Sequence, residues 1–229
     1  MNRVVQPELL DELPPDDPRA IHSRRDLQRL NLLMRHGPML CDALLKSVRQ
    51  PPQTLVEIGA GDGSLMLQLA QRLHKRWPNV QVLLLDRHET VANETLSSIR
   101  ALGWQAQSVT ADVFDWLASD TNRCDAMIAN LFLHHFAGDK LAELLRLAAL
   151  RTNCLVACET RRSRAALAMC SLLPAIGCNA VTRHDARLSV RAGFAGHELS
   201  ALWPAGDAWR LTERRSMLVT HLFSATRNA

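Results

Sequence analysis

The sequence contains no tyrosine, and aromatic residues make up only 4% of it. Platforms that stack the bases of single-stranded nucleic acid are built from aromatic rings, so this scarcity argues against one. No apolar run reaches the roughly 20 residues that a membrane-spanning helix needs, so no membrane partner is expected. Residues 1–8 lack the apolar stretch of a secretory signal, and the cytoplasm is the expected compartment. The six cysteines (Cys41, Cys124, Cys154, Cys158, Cys170 and Cys178) include no Cys-x-x-Cys pair. Most sit in apolar runs, where free cysteine behaves as a small hydrophobe, and no metal site is expected. No internal repeat or low-complexity tract stands out.

What is present suits one globular domain: 229 residues, 47% hydrophobic and 22% charged. The formal charge of +4 is uneven, with −2 over residues 1–150 and +6 over residues 151–229. A basic C-terminal part suits an anionic or carboxylated substrate, RNA, or a merely solvated face. Residues 1–21 carry Pro7, Pro14, Pro15 and Pro18 among clustered acids. That composition resists regular structure and reads as an arm, loose or draped on a partner subunit in a homodimer. Residues 22–229 then form the domain. Its first part, 22–50, is a helical cap: Ser23 is the N-cap with Asp26 three residues on, Leu27, Leu30, Leu33 and Met34 line one face, and Gly37-Pro38 interrupts before a second helix. Asn31, Arg35 and His36 are the cap's candidates for a pocket.

From Thr54 onward strand and helix patterns alternate, which signals a parallel sheet covered by helices on both faces. Strands are predicted at 54–58, 80–85, 105–110, 124–131 and 154–158, with helices at 62–76, 89–102 and 139–150. The segment 160–204 reads as a lid-like insertion of helices, rich in arginine. Residues 209–214 and 217–225 read as a closing antiparallel strand pair. Ligands of such sheets bind outside the carboxyl ends of the strands. A polar residue follows each of the first five strands: Glu57, Asp86, Asp112, Asn130 and Glu159.

The first strand runs into Glu57-Ile58-Gly59-Ala60-Gly61-Asp62-Gly63 and then an amphipathic helix. Such a turn leaves backbone N–H groups uncovered at a helix N-terminus, and only glycine lets a ligand approach that backbone closely. The third glycine comes one residue too early for the G-x-G-x-x-G dinucleotide fingerprint, which argues against a dehydrogenase. The acid before the glycines suits a cationic ligand better than a diphosphate. The pattern is E-x-G-x-G-x-G, and in it the chain resembles the class I S-adenosylmethionine-dependent methyltransferases. That resemblance implies a Rossmann-like fold with a mainly parallel seven-stranded sheet, an antiparallel last strand and an N-terminal helical cap. It implies S-adenosylmethionine as cofactor and S-adenosylhomocysteine as product. It places Gly59, Ala60, Gly61 and Gly63 under the amino acid end of the ligand and Asp86 by the ribose, with Glu57 and Arg87 also counted as cofactor-binding. Asp112 and Val113 would lie by the adenine, and Asn130 by the methionine end.

The stretch Asn130-Leu131-Phe132-Leu133-His134-His135-Phe136 lacks the proline-rich tetrapeptide of nucleic-acid amino-methyltransferases. It is similar instead to small-molecule methyltransferases acting on phenolic or polyketide-type metabolites. A deprotonated hydroxyl acceptor needs a base, and neutral imidazole titrates in the right range. His134 or His135 is the expected base, His184 is a second candidate, and Glu159 is placed to bond the acceptor or a lid residue. Arg35, Arg161, Arg183 and Arg187 are candidates to hold a substrate carboxylate bidentately. The expected activity is methyl transfer to a small-molecule hydroxyl, without nucleic acid. The alternatives are RNA or protein methylation, or a partner subunit of the same fold that has lost catalysis.

Overall fold

The computed structural model describes every residue except Pro15, Asp120, Asn122, Ala205 and Ala229, so one proline of the expected arm lies outside the described residues. In chain order the elements are α1 (Leu9–Glu12), α2 (Pro18–Leu33), α3 (His36–Ser47), β1 (Thr54–Ile58), α4 (Ser64–Leu73), β2 (Gln81–Asp86), α5 (Asn93–Ala101), β3 (Gln105–Thr110), α6 (Val113–Ala118), β4 (Ala126–Asn130), α7 (Gly138–Arg151), β5 (Cys154–Thr160), α8 (Arg164–Met169), α9 (Ala180–Ala192), α10 (Glu198–Leu202), β6 (Trp209–Ser216) and β7 (Thr220–Arg227). Single 3-10 segments occupy Leu133–His135 and Cys170–Ile176.

The strands form one seven-stranded sheet in the order β3-β2-β1-β4-β5-β7-β6. The first five are parallel, and β7 enters antiparallel to β5 because a tight turn joins it to β6. The middle strands read Leu-Val-Glu-Ile, Met-Ile-Ala-Asn and Leu-Val-Ala-Cys because both faces are covered. On one face α3, α4 and α5 pack Leu40, Leu44, Met66, Leu69 and Ile99 against the sheet. On the other, α6, α7 and α10 contribute Trp116, Leu117, Leu144, Leu145 and Leu199. Each such large side chain contributes about 1.5–3 kcal/mol by leaving water. The β6 edge is blunted by exposed Arg210, Arg214 and Arg215.

The expected cap is present, but its first helix starts earlier than 22. Asp17 is the N-cap, accepting from Arg19 N, and Pro18 stands at the first helical position, where a missing N–H costs nothing. Asp26, expected as a capping acid, is instead buried mid-helix. It accepts from Asn179 N (2.8 Å) and Thr182 Oγ1 (3.0 Å), joining α2 to α9. Gly37-Pro38 lies inside the first turn of α3 rather than ahead of it; the break falls at Arg35, which is left-handed at φ 57°. The residues read as an arm are not loose. Val4 N donates to Arg191 O (3.1 Å), and Arg3 donates to Ala192 O (2.7 Å) and Phe136 O (2.8 Å). Asp185 accepts from Leu9 N and Leu10 N, capping the short α1.

Candidate active site

The carboxyl ends of β1, β2 and β4 open into a cavity of about 590 Å³, roofed by α2 and by the N-terminal segment. Glu57, Gly59, Ala60, Gly61, Asp86, Arg87, Asp112, Val113 and Asn130 line it. Gly59 has φ +68°, and a Cβ there would overlap the Phe132 ring, so the turn and the closeness of the next loop both require glycine. Gly63, at φ +73°, is the residue before α4 and packs on Leu84, Val91 and Thr95 instead of facing the cavity. Asp86 Oδ2 accepts from Gly61 N (2.8 Å) and Asp86 Oδ1 from His88 N (3.0 Å). This carboxylate therefore ties the glycine turn to β2 while each oxygen keeps a lone pair for a ligand. Asp112 caps α6 by accepting from Phe114 N (2.7 Å) and also stands in the cavity wall. Gln28 of α2 reaches across to Asp62.

Among the described residues, four buried polar atoms along this cavity have no hydrogen-bond partner: Asn31 Oδ1, Glu57 Oε2, Asn130 Oδ1 and His134 Nε2. An unpaired buried polar atom costs about 1–3 kcal/mol, so four on one cavity mark the place of a polar ligand. Burial, then the charges of Asp62 and Asp86, push the pKa of Glu57 well up. The first three atoms are acceptors and suit the ammonium of an amino acid end, so the wall fits the expected cofactor.

Beyond β4, Leu131 takes φ +52°, a strained setting for a branched side chain, and turns the chain into the histidine segment. Glu159, at the end of β5, organises that segment. Its Oε1 accepts from Phe132 N (3.0 Å) and Leu133 N (2.7 Å), and its Oε2 accepts from His134 Nδ1 (2.7 Å). Burial would raise the Glu159 pKa, but the His134 and backbone donors outweigh it and hold it low. His134 is 2% exposed and stacks on His135 at 4.3 Å between ring centroids. His135 Nδ1 donates to Phe132 O (3.0 Å), which leaves Nε2 towards the cavity. Glu8, from the N-terminal segment, lies between the rings, 3.4 Å from His134 Nε2 and 3.6 Å from His135 Nε2. Burial lowers the His134 pKa, but Glu159, hydrogen-bonded to Nδ1, and the nearby Glu8 carboxylate outweigh it and raise it to about 9.

Several candidates stand elsewhere. Arg183, His184 and Arg187 line an outward groove with Pro174 and Arg191, because α9 turns its opposite face to α2. His184 Nδ1 meets only its neighbour Asp185 (2.9 Å). Arg161 is held by a bridge to Phe194 and does not line the cavity. Arg35 is exposed at the α2–α3 break. His36 is buried against Thr220, with its pKa lowered to about 4 by burial, against the opposing effects of Glu159 and Asn130. Glu8 was absent from the sequence candidates. It lies 126 residues before His134 in a proline-rich stretch without periodicity, so no local signal marks it.

Comparison with known proteins places this architecture. Residues 55–151 match the family model described as "Methyltransferase domain". No curated protein sequence is a significant match. Among solved structures, the plantazolicin methyltransferase BamL, in complex with a triazolic desmethylPZN analog and SAH, superposes with TM-score 0.66 at 12% identity, over 96% of this chain and 93% of that one. The plantazolicin methyltransferase BpumL in complex with SAH gives TM-score 0.67 at 13% identity, over 93% and 92%. An O-methyltransferase family protein from Burkholderia thailandensis gives 0.60 at 17% identity, over 93% of this chain and 61% of that one. Residues 55–151 thus match a methyltransferase domain, and the whole chain has the fold of these solved methyltransferases.

Proposed function

We propose that this chain moves the methyl group of S-adenosylmethionine to a hydroxyl of a small phenolic or polyketide-type acceptor. The observation that carries the reading is the set of unpartnered buried atoms on one cavity, three of them acceptors. Solved proteins of this fold hold SAH together with a triazolic desmethylPZN analog, which supports a small-molecule acceptor. Glu57, Asn130 and Asn31 would bind the amino acid end, and Asp86 the ribose hydroxyls. Asp112 would accept from the adenine amine. S-adenosylmethionine supplies a sulfonium methyl carbon, which the acceptor oxygen attacks in line as the carbon–sulfur bond breaks. The chain's own contribution is placement and proton handling. Phe132 and Phe136, edge-on at 5.2 Å, make an apolar wall for an aromatic acceptor. Holding the oxygen at about 3 Å from the methyl carbon supplies most of the rate. The proton goes to the histidine pair: His135, the more exposed ring, turns Nε2 to the cavity side beside Glu8 and Asp11, whereas His134 is buried between Glu159 and Glu8.

A second reading uses the basic outward groove of Arg183, Arg187 and Arg191 to dock RNA. It requires activity that falls steeply with salt. Radiolabelled methyl transfer to a panel of phenols and to RNA separates the two. The first reading expects label in a phenol at both low and high salt. Label confined to RNA at low salt contradicts it.

A further inference from the structure

We infer that Glu8, His134 and His135 form a site for one divalent first-row transition-metal ion, zinc being the reference case, open on its cavity side to an acceptor oxygen. This rests on the reading of the cavity given above and names what stands at its acceptor end. One ligand atom from each of the three residues lies within 4.8 Å of the others. Glu8 is 3.4 Å from His134 Nε2 and 3.6 Å from His135 Nε2. A tetrahedral centre with bonds of about 2.1 Å spaces its ligand atoms about 3.4 Å apart, so only small side-chain shifts separate the cluster from a coordination shell.

Hydrogen bonding fixes the tautomers the same way. Each Nδ1 faces an oxygen that only accepts: the ionised Glu159 carboxylate for His134 and the Phe132 carbonyl for His135. Each Nδ1 therefore carries the hydrogen, and in a neutral ring Nε2 presents a lone pair. With both rings neutral, two lone pairs and a carboxylate point at one spot, which a proton or a metal ion can fill. His134 Nε2 is buried and makes no hydrogen bond. All three side chains are also braced from behind, the pattern that orients metal ligands: His134 by Glu159, His135 by Phe132 O, and Glu8 by Ser189 Oγ. Two imidazoles and one carboxylate suit zinc, iron(II) or cobalt(II) and leave positions open. In the loaded form His135 is a ligand and not a base. The acceptor oxygen binds the ion and its proton leaves to water. The oxygen's electron pair forms the bond to the methyl carbon while the carbon–sulfur pair passes to sulfur.

The test uses the full chain, stripped with chelator and titrated with Zn²⁺ and Co²⁺, with SAH binding measured in parallel. The expected result is one ion per chain after dialysis and a cobalt(II) visible spectrum with nitrogen and oxygen ligands. Glu8→Gln and His135→Ala should each bind the ion at least tenfold more weakly while SAH affinity stays unchanged. A chain that binds SAH but retains no ion overturns the metal site and leaves the proposed function standing, with a proton as the occupant. Equal ion retention in a Glu8→Gln/His135→Ala double variant overturns it as well. Loss of SAH binding in the parent chain is the separate failure of the proposed function.

Discussion

Glu57 ends its side chain in a closed space with Oε2 unpaired, beside the like charges of Asp62 and Asp86. Its raised pKa means that burial favours the protonated carboxyl when no cation lies beside it. The sign follows from linkage. The stability tied to this group is fully present below its ordinary carboxylate range and is lost as pH rises through the raised folded value. A cationic ligand end favours the carboxylate, so binding should expel the proton. Calorimetry of SAH binding in two buffers of different ionisation heat, repeated at several pH values above the ordinary carboxylate range, should show proton release. Glu57→Gln should abolish that release and weaken binding at least tenfold; release that persists in the variant contradicts the assignment. The position was legible because a strand pattern ended in an acid before alternate glycines. Its raised pKa was not, because it follows first from burial, then from Asp62 and from Asp86, which the sheet brings close from the end of β2.

The cap and the N-terminal segment are held to the domain by α9. Ser23 Oγ meets Thr182 Oγ1 at 2.9 Å, and Asp26 takes the Asn179 N–H and the Thr182 hydroxyl in a buried site. Asp26→Ala leaves these donors unpaired and should destabilise the fold by about 2 kcal/mol in urea denaturation. A loss under about 0.5 kcal/mol, the scale of surface changes, contradicts the buried clamp. Asp185 works on the other edge of α9, holding Leu9 and Leu10 so that Glu8 reaches the histidine pair. Asp185→Asn, which keeps shape but loses charge, should raise KM for the acceptor several-fold while SAH affinity is kept. An unchanged KM separates the segment from the acceptor end. These elements were half legible. Apolar spacing at Leu27, Leu30 and Leu33 announced α2, but the same reading took Asp26 for a capping acid. Prolines read as a loose arm are, in part, a helix start, since Asp17-Pro18 satisfies the first turn of α2. Which groove receives a proline-rich segment is set by Arg3, Glu8 and Asp185 meeting partners more than 120 residues away.

Across the whole molecule the alternation of strand and helix from Thr54 carried the architecture, because continuous apolar runs such as Cys154–Cys158 fit only a sheet covered on both faces. The closing antiparallel pair was legible too, but its turn falls at Met217-Leu218-Val219, with Met217 at φ 57°, and not at the polar Arg215-Ser216, which belong to β6. The uneven charge was less informative. Much of the C-terminal excess lies on the outward groove of α9 and on the β6 edge, away from the cavity. The central claim is that the cavity at the carboxyl edge of the sheet takes an S-adenosyl ligand. Titration calorimetry of the purified chain with SAH, and separately with NADH, tests it directly. Saturable one-to-one binding of SAH and none of NADH is expected; uptake of NADH with no response to SAH would overturn the assignment of the cavity.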